Sequence, residues 1–194
     1  MKYNSHSLPS GDKNHYDEIR PRLSGNKRIA FENINRKERR ILIIGDLHEP
    51  FCLEGYREFC EQMYATYNCN HVIFIGDILD SHGFSYHEQD PDGLSAGHEL
   101  SLAIKRIRKW YSSFPKADVC IGNHDRMASR KAMTGGIPSA WIRSYNDVLG
   151  TPKWNWVENI TYDNVLYEHG EGSQAKTKAK NNMMSSVCGH THTE

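Results

Sequence analysis

The chain has 194 residues, and its 24 lysines and arginines balance 24 aspartates and glutamates, so the formal net charge is zero. This balance argues against a generally basic nucleic-acid-binding protein, although local basic patches are still compatible with it. The sequence has neither an apolar run near the ~20 residues that cross a bilayer nor an apolar N-terminal segment, and its five cysteines include no C-x-x-C pair; these features predict a cytoplasmic protein with reduced thiols and no membrane segment.

The first segment in chain order, residues 1–40, is polar, rich in turn-forming residues and without a sustained hydrophobic period. These features predict an arm or linker rather than part of a core. Its basic end, N-R-K-E-R-R, could contact a phosphate backbone, but a solvated run of charges is the simpler interpretation. The remaining residues, 41–194, are enough for one domain with a sizeable core.

Five short apolar runs follow, each rich in strand-forming residues, as expected for strands that are buried on both faces. Between some of them, apolar residues in 53–64 and in 100–107 have the spacing that is typical of amphipathic helices. Strands that alternate with helices predict an α/β fold. The five runs are I-L-I-I, H-V-I-F-I, A-D-V-C-I, N-V-L-Y and S-S-V-C, at residues 41–44, 71–75, 117–121, 164–167 and 185–188.

Polar side chains cluster directly after each of these runs. In open α/β sheets, ligands bind outside the carboxyl ends of the strands, so the clusters are predicted to meet at one place. Their carboxylates, amide and imidazoles, without a thiolate, favour an ion such as Mn, Fe or Zn over a structural zinc cage. Seven donors exceed the needs of one tetrahedral site, which predicts two ions about 3.5–4 Å apart. The donors are Asp46, His48, Asp77, Asn123, His169, His190 and His192.

A glycine stands immediately before four of these polar clusters. Because glycine has no Cβ atom, it lets the chain turn sharply and allows the backbone to come close to a bound ion. These glycines are Gly45, Gly76, Gly122 and Gly189.

Five short motifs, D-x-H, G-D-x-x-D, G-N-H-D, H-G and G-H-T-H, occur in this order between residues 46 and 192. In this order they resemble the calcineurin-like metallophosphoesterase family, and the resemblance covers residues 41–194. It implies a β-sandwich of two mixed sheets flanked by helices, with a dinuclear metal centre at one edge. Family members usually continue past G-H-T-H with a further strand, so we expect this domain to lack its last strand.

The resemblance also implies a role for each donor. Two divalent ions are expected, with Mn as the first choice and Fe, Zn, Ni or Mg as alternatives. Matched by motif, the ligands of the first ion would be Asp46, His48 and His192, and those of the second would be Asn123, His169 and His190, with Asp77 bridging both.

The reaction that the resemblance implies is hydrolysis of a phosphate ester by a hydroxide that bridges the two ions. His124 would protonate the leaving oxygen or stabilise charge in the transition state. Asp80, the second acid of G-D-x-x-D, would orient and polarise His124. Asp125 is a further, less specific candidate for such a supporting contact.

Two departures separate the chain from the serine/threonine protein phosphatases of this family. Ser81 stands where their phosphate-binding arginine would be, and the third motif reads G-N-H-D rather than G-N-H-E. Both differences favour a phosphodiesterase, a nuclease or a small-molecule phosphatase over a protein phosphatase. The expected partner is therefore a phosphodiester or phosphomonoester substrate, nucleic acid is left open, and a non-catalytic metal-binding scaffold is the alternative outside the enzymes.

Four further side chains are less informative. Arg126 directly follows G-N-H-D, and the sequence leaves open whether it contacts phosphate or forms a surface salt bridge. Trp141, Trp154 and Trp156 are expected to pack in the core rather than to stack on bases, as they would in a nuclease.

Overall fold

The structure, a computed structural model, describes residues 38–170, residue 172 and residues 175–191. Nearly all of the predicted arm and the candidate ligand His192 lie outside these described residues. Within them, no helix is both long and apolar enough to cross a membrane.

The first sheet consists of β1 (Ile41–Ile44), β2 (His71–Phe74), β3 (Ala117–Cys120) and β4 (Trp154–Val157). The strands pair in this order, and every neighbouring pair is parallel. All four residues of β3 and three of the four in β2 are buried, as the continuous apolar runs predict.

A second sheet consists of β5 (Asn159–Tyr162), β6 (Val165–Glu168) and β7 (Ser185–Cys188). β5 and β6 form an antiparallel hairpin, and the turn residues Asp163 and Asn164 have φ angles of 50° and 63°, the left-handed conformation that suits a two-residue hairpin turn. β7 pairs with β6 in parallel, so this sheet is mixed. The α/β class predicted from the sequence is confirmed.

Helices connect the parallel strands of the first sheet. α1 (Tyr56–Thr66) lies between β1 and β2, α2 (Ala96–Ser113) lies between β2 and β3, and α3 (Met127–Thr134) and α4 (Tyr145–Leu149) lie between β3 and β4; α5 (Ala175–Asn182) precedes β7. A helical crossover carries the chain back to the edge where the previous strand began, so the next strand runs parallel. The prediction of two mixed sheets is therefore wrong for the first sheet, while α1 and α2 lie where apolar spacing predicts helices.

One face of the first sheet packs against α2. Ile107 and Trp110 of this helix are buried together with Phe74 of β2 and Trp154 of β4, so the prediction that Trp154 packs in the core is confirmed. The same prediction is wrong for Trp141, whose side chain is 79% exposed because it lies on a short 3-10 turn, Ser139–Trp141, outside the helices and strands.

A second apolar cluster contains side chains from both sheets. Ile73 of β2, Cys120 of β3 and Tyr167 of β6 are buried in it. Because neighbouring residues of a strand face opposite sides of a sheet, Ile73 belongs to this cluster while Phe74 packs with α2.

Candidate metal centre

The predicted donors lie in the loops that directly follow β1, β2, β3, β6 and β7. The structure brings six of the seven together, and the seventh, His192, lies outside the described residues. The carboxyl ends of strands from both sheets thus meet at one place, as the sequence predicts. The six donors are Asp46, His48, Asp77, Asn123, His169 and His190.

His169 is almost fully buried at the centre of one group of donors. Its Nε2 lies 3.1 Å from Asp77 Oδ2 and 3.0 Å from Asn123 Oδ1, and His190 Nδ1 lies 2.9 Å from the same Asn123 oxygen. On the other side of the ring, Nδ1 lies 3.0 Å from the carbonyl oxygen of Ile75. In a neutral ring this contact puts the hydrogen on Nδ1, because a carbonyl can only accept, and it leaves the Nε2 lone pair facing Asp77 and Asn123.

A second group of donors shares Asp77 with the first. Asp46, His48 and Asp77 each offer one ligand atom, and these atoms lie within 4.8 Å of one another. His48 Nε2 is 3.8 Å from Asp77 Oδ2, and the backbone N–H of His190 donates to Asp46 Oδ2 at 2.8 Å. Several oxygen and imidazole acceptors therefore converge with few hydrogens among them, which fits a divalent cation.

Electrostatic interactions within the cluster shift three pKa values. The hydrogen bond to Asp80 raises the pKa of His48, although burial acts in the opposite direction. Burial, the largest single effect, lowers the pKa of His169, but the hydrogen bond and charge of Asp77, the charge of Asp46 and the contact with the Ile75 backbone together outweigh it, so the net shift is upward. Burial disfavours the Asp77 carboxylate, yet its contacts with His169 and with the His124 backbone N–H lower its pKa overall. A proton and a metal ion would compete for the same lone pairs of the two histidines.

Asp80 contacts two different histidines with two different groups. Its carboxylate Oδ1 lies 2.9 Å from Nδ1 of His48, while its main-chain carbonyl contacts Nδ1 of His124. The rings of His48 and His124 meet edge to face, with their centroids 4.7 Å apart. The family resemblance implies that Asp80 orients His124, and in the structure this contact comes from the backbone carbonyl of Asp80 rather than from its carboxylate.

Asp125, the last residue of the third motif, is buried and bonds to backbone groups of two loops. Its carboxylate accepts hydrogen bonds from the backbone N–H groups of Gly122 at 2.9 Å and of Leu79 at 3.1 Å. Burial raises the pKa of Asp125 to about 6. These contacts join the loop after β3 to the loop after β2, which holds the G-N-H-D turn in place.

Three of the four glycines that precede the donor clusters lie in very close packing. A Cβ atom on Gly76, whose φ is +106°, would lie 2.5 Å from His169 Nδ1. A Cβ on Gly122 would overlap Asp77, and one on Gly189 would overlap Asp46. A Cβ on Gly45 would meet only Tyr56 Oη, at 3.7 Å, which is an ordinary contact distance.

Sequence reasoning does not identify two buried glutamates that hold the donor loops. Glu49, next to His48, pairs with Arg106 at 2.5 Å and accepts from Trp110 Nε1 at 2.8 Å. Glu99 of α2 accepts from the backbone N–H groups of His82 at 3.0 Å and Gly83 at 2.7 Å. Glutamates are common next to a metal ligand and in the first turn of a helix. Their positions in the sequence therefore do not predict these contacts.

The sequence left the role of Arg126 open, and the structure pairs it with the carboxylate of Glu158. The side chain of Glu158 is 65% exposed, so this is a surface salt bridge. Such pairs contribute little stability.

The fold and the donor cluster together define an α/β protein with a candidate metal centre at the carboxyl ends of its strands. A family model described as calcineurin-like phosphoesterase matches residues 39–194, and the chain belongs to this family. The comparison with curated proteins gave no match. Membership implies a hydrolase that acts on phosphate esters with divalent metal ions, and the donor groups are consistent with metal binding.

Proposed function

We propose that the protein hydrolyses phosphate esters at a centre of two divalent ions, with Mn as the first choice and Fe, Zn, Ni or Mg as alternatives. The observation that carries this proposal is the position of Asp77. Its Oδ2 lies 3.1 Å from His169 Nε2 and 3.8 Å from His48 Nε2, so one carboxylate faces both donor groups. A carboxylate placed in this way can bridge two ions, and paired ions are suited to phosphoryl displacement.

The proposed ligand sets follow the two donor groups. Asp77 is the bridging ligand, and each remaining donor is assigned to the ion on its own side. The first ion would be bound by Asp46, His48 and, by its motif, His192, and the second by Asn123, His169 and His190.

When bound, the two ions would lower the pKa of a water molecule and neutralise charge on the phosphate. We assign the general acid to His124, whose Nδ1 is held by the Asp80 carbonyl, so that Nε2 is the nitrogen left for proton transfer. The backbone N–H of His124 also donates to Asp77 Oδ1 at 2.9 Å. The acid and the bridging carboxylate are thereby kept at a fixed separation.

The proposal extends to the architecture that positions these residues. We infer that residues 41–194 form the domain and that its two sheets pack as the sandwich expected of the family. The buried cluster of Ile73, Cys120 and Tyr167, which draws on both sheets, supports this packing. The assignment of residues 1–40 as an arm stays a prediction.

No specific observation favours the nuclease alternative. The basic positions of α2 that could contact a phosphate backbone include Arg106, and this side chain pairs with the buried Glu49. The scaffold alternative would be favoured by missing ligands or a missing acid. Among the described residues the chain keeps six candidate ligands and His124, which supports the enzyme over the scaffold.

A joint measurement of metal content and hydrolysis tests the proposed function. The chain is purified without a histidine tag and loaded with Mn, and the bound metal is counted per chain by mass spectrometry. A chromogenic monoester and a diester are then assayed side by side. We expect two ions per chain together with turnover, and the better substrate decides between phosphatase and phosphodiesterase.

Two ions without turnover on either ester would contradict the enzyme and favour a scaffold. Fewer than two ions together with full turnover would contradict the dinuclear centre. An Asp77→Asn variant is the negative control, because it removes the charge that faces both donor groups with little change in side-chain volume.

A further inference from the structure

Three of the proposed ligands line an open groove with a volume of about 510 Å³. Beside Asp46, His48 and His190, its walls include four aromatic or aliphatic side chains, and we call it the Phe51 groove. These four are the buried Leu47 and, closer to the surface, Phe51, Leu53 and Tyr56. One cavity thus joins the candidate metal centre to an apolar surface.

The position of Phe51 follows from a turn directly after His48. The backbone N–H of Phe51 donates to the carbonyl oxygen of His48 at 2.8 Å, which folds the chain back beside the ligand. The side chains of Phe51 and Leu53 are 57% and 77% exposed. Single exposed apolar residues are common, but adjoining ones in a cavity with convergent polar groups mark a binding surface.

The floor of the groove is fixed by Tyr56. Its hydroxyl accepts a hydrogen bond from the backbone N–H of Gly45 at 3.1 Å, and its ring packs edge to face on Trp110 with centroids 5.7 Å apart. Burial raises the pKa of Tyr56 to about 12, so the phenol stays neutral. Tyr56 is therefore held in one position within the groove, so this side chain loses little freedom when a ligand binds.

The charges that line the Phe51 groove limit the class of ligand that it can bind. Among the described residues that line the groove there is no lysine or arginine. A nucleic-acid strand would bring further phosphates that need such cations. A small ester whose organic group is neutral and flat needs none, and it can stack on an aromatic ring.

We propose that the Phe51 groove binds the planar, apolar organic group of a small aryl phosphate ester, while the phosphate lies at the metal centre. This inference rests on the proposed function and adds the substrate class to it. Phe51 supplies the stacking surface and Leu53 the adjoining apolar wall.

Binding of two phosphonates to the Mn-loaded full chain tests the inference by calorimetry, without turnover. At a pH above the second ionisation of both compounds, phenylphosphonate and methylphosphonate carry the same dianionic head and a non-hydrolysable C–P bond, and they differ only in the organic group. We expect the phenyl compound to bind about tenfold more tightly, as one aromatic stacking contact would give. Phe51→Ala should reduce this preference to less than about twofold and leave methylphosphonate binding unchanged, and Leu53→Ala should reduce it partly.

Phe59→Ala is the matched control, because Phe59 is 53% exposed on α1 and does not line the groove. This variant should keep the full preference for phenylphosphonate. Equal binding of both phosphonates to the unchanged protein, or a preference that survives Phe51→Ala, would overturn the groove assignment alone. Failure of both phosphonates to bind the Mn-loaded chain would overturn the proposed function and the groove assignment with it.

Discussion

The carboxylate of Asp80 lies 2.9 Å from Nδ1 of His48, so the second acid of G-D-x-x-D supports a histidine of the D-x-H motif. A carboxylate on one ring nitrogen fixes the orientation and tautomer of an imidazole and makes the other nitrogen a better ligand. The two motifs are therefore coupled through a side chain that is not itself a proposed ligand. Asp80 also reaches His124, but with its backbone carbonyl, which no substitution of the side chain removes.

Asp80→Asn should weaken binding of the first ion by about 10- to 100-fold, the effect typical of losing such a supporting contact. The second ion should bind as before, because His169 is supported by the Ile75 carbonyl instead. A titration with Mn, in which the free ion is measured by electron paramagnetic resonance, separates the binding of the first ion from the binding of the second. Equal weakening of both ions would contradict the assignment of Asp80 to His48.

Asp77 and His124 should respond differently to substitution. Asp77→Asn removes the charge that faces both donor groups, so both ions should bind at least tenfold more weakly. His124→Ala should keep two ions per chain and lower turnover by about 10²- to 10⁴-fold, the usual contribution of a general acid. Metal counting and kinetics on the same preparations give both results, and normal turnover in His124→Ala would rule out the assigned role.

Glu99→Gln tests whether α2 positions the loop that follows Asp80. Glutamine offers one carbonyl oxygen in place of two carboxylate oxygens, so one of the two N–H groups of residues 82 and 83 loses its acceptor. We expect a loss of about 1–3 kcal/mol in the free energy of unfolding, together with weaker binding of the first ion. Urea unfolding and Mn titration measure the two effects. Glu88→Gln, at an exposed position of the same loop region, should change neither.

A pH effect on stability is expected far from the metal centre, at Asp118. Burial alone would raise its pKa, but hydrogen bonds from His71 at 2.7 Å, Asn155 at 2.7 Å and Tyr162 at 2.8 Å outweigh burial and lower it. Because the pKa of Asp118 in the folded protein is lower than its ordinary value of 3.8, the ionised carboxylate stabilises the fold at pH values above 3.8. This contribution is lost as the pH falls through the lower pKa of the folded state.

Asp118→Asn should therefore flatten the acid side of the stability profile, since the amide does not titrate. Tyr162→Phe is the control, because it removes one hydrogen bond, at a cost of about 1 kcal/mol, and keeps the carboxylate. Urea unfolding at pH values from about 7 to about 3 compares the three proteins. If the profile of Asp118→Asn falls as steeply as that of the unchanged protein, the network does not stabilise the ionised form.

The sequence predicts those features of the structure that depend on the hydrophobic pattern and on local motifs. All five apolar runs become strands, and the polar residues after them converge as strand ends do in an α/β fold. The strands W-N-W-V and N-I-T-Y escape the same reasoning, because polar residues interrupt them and neither is a continuous apolar run. Their strand conformation depends on partners that are distant in sequence, β3 for the first and β6 for the second.

Backbone conformation at the ligands is also beyond the reach of sequence patterns. His48, Asp77 and His190 have φ angles of 48°, 48° and 69°, in the left-handed region that side chains with a Cβ rarely adopt. Such conformations persist where the surrounding structure holds them, and they are common at functional sites. The presence of an aspartate or a histidine in the sequence does not predict a left-handed backbone conformation. The orientation of the donors is therefore known only from the three-dimensional structure.

The last prediction concerns the glycines that precede the donors. Gly122→Ala should displace Asp77, because the added methyl group would overlap its backbone nitrogen and side chain. We expect weaker binding of both ions, and a loss of stability of about 1–3 kcal/mol from overpacking. Gly45→Ala is the matched control, since its Cβ would meet only Tyr56 Oη at 3.7 Å and no positive φ is needed there. Metal counts and urea unfolding are measured on both variants. Equal losses of metal binding and stability would mean that the glycines act through chain flexibility. A loss confined to Gly122→Ala would show that the close contact between Gly122 and Asp77 is what requires a glycine.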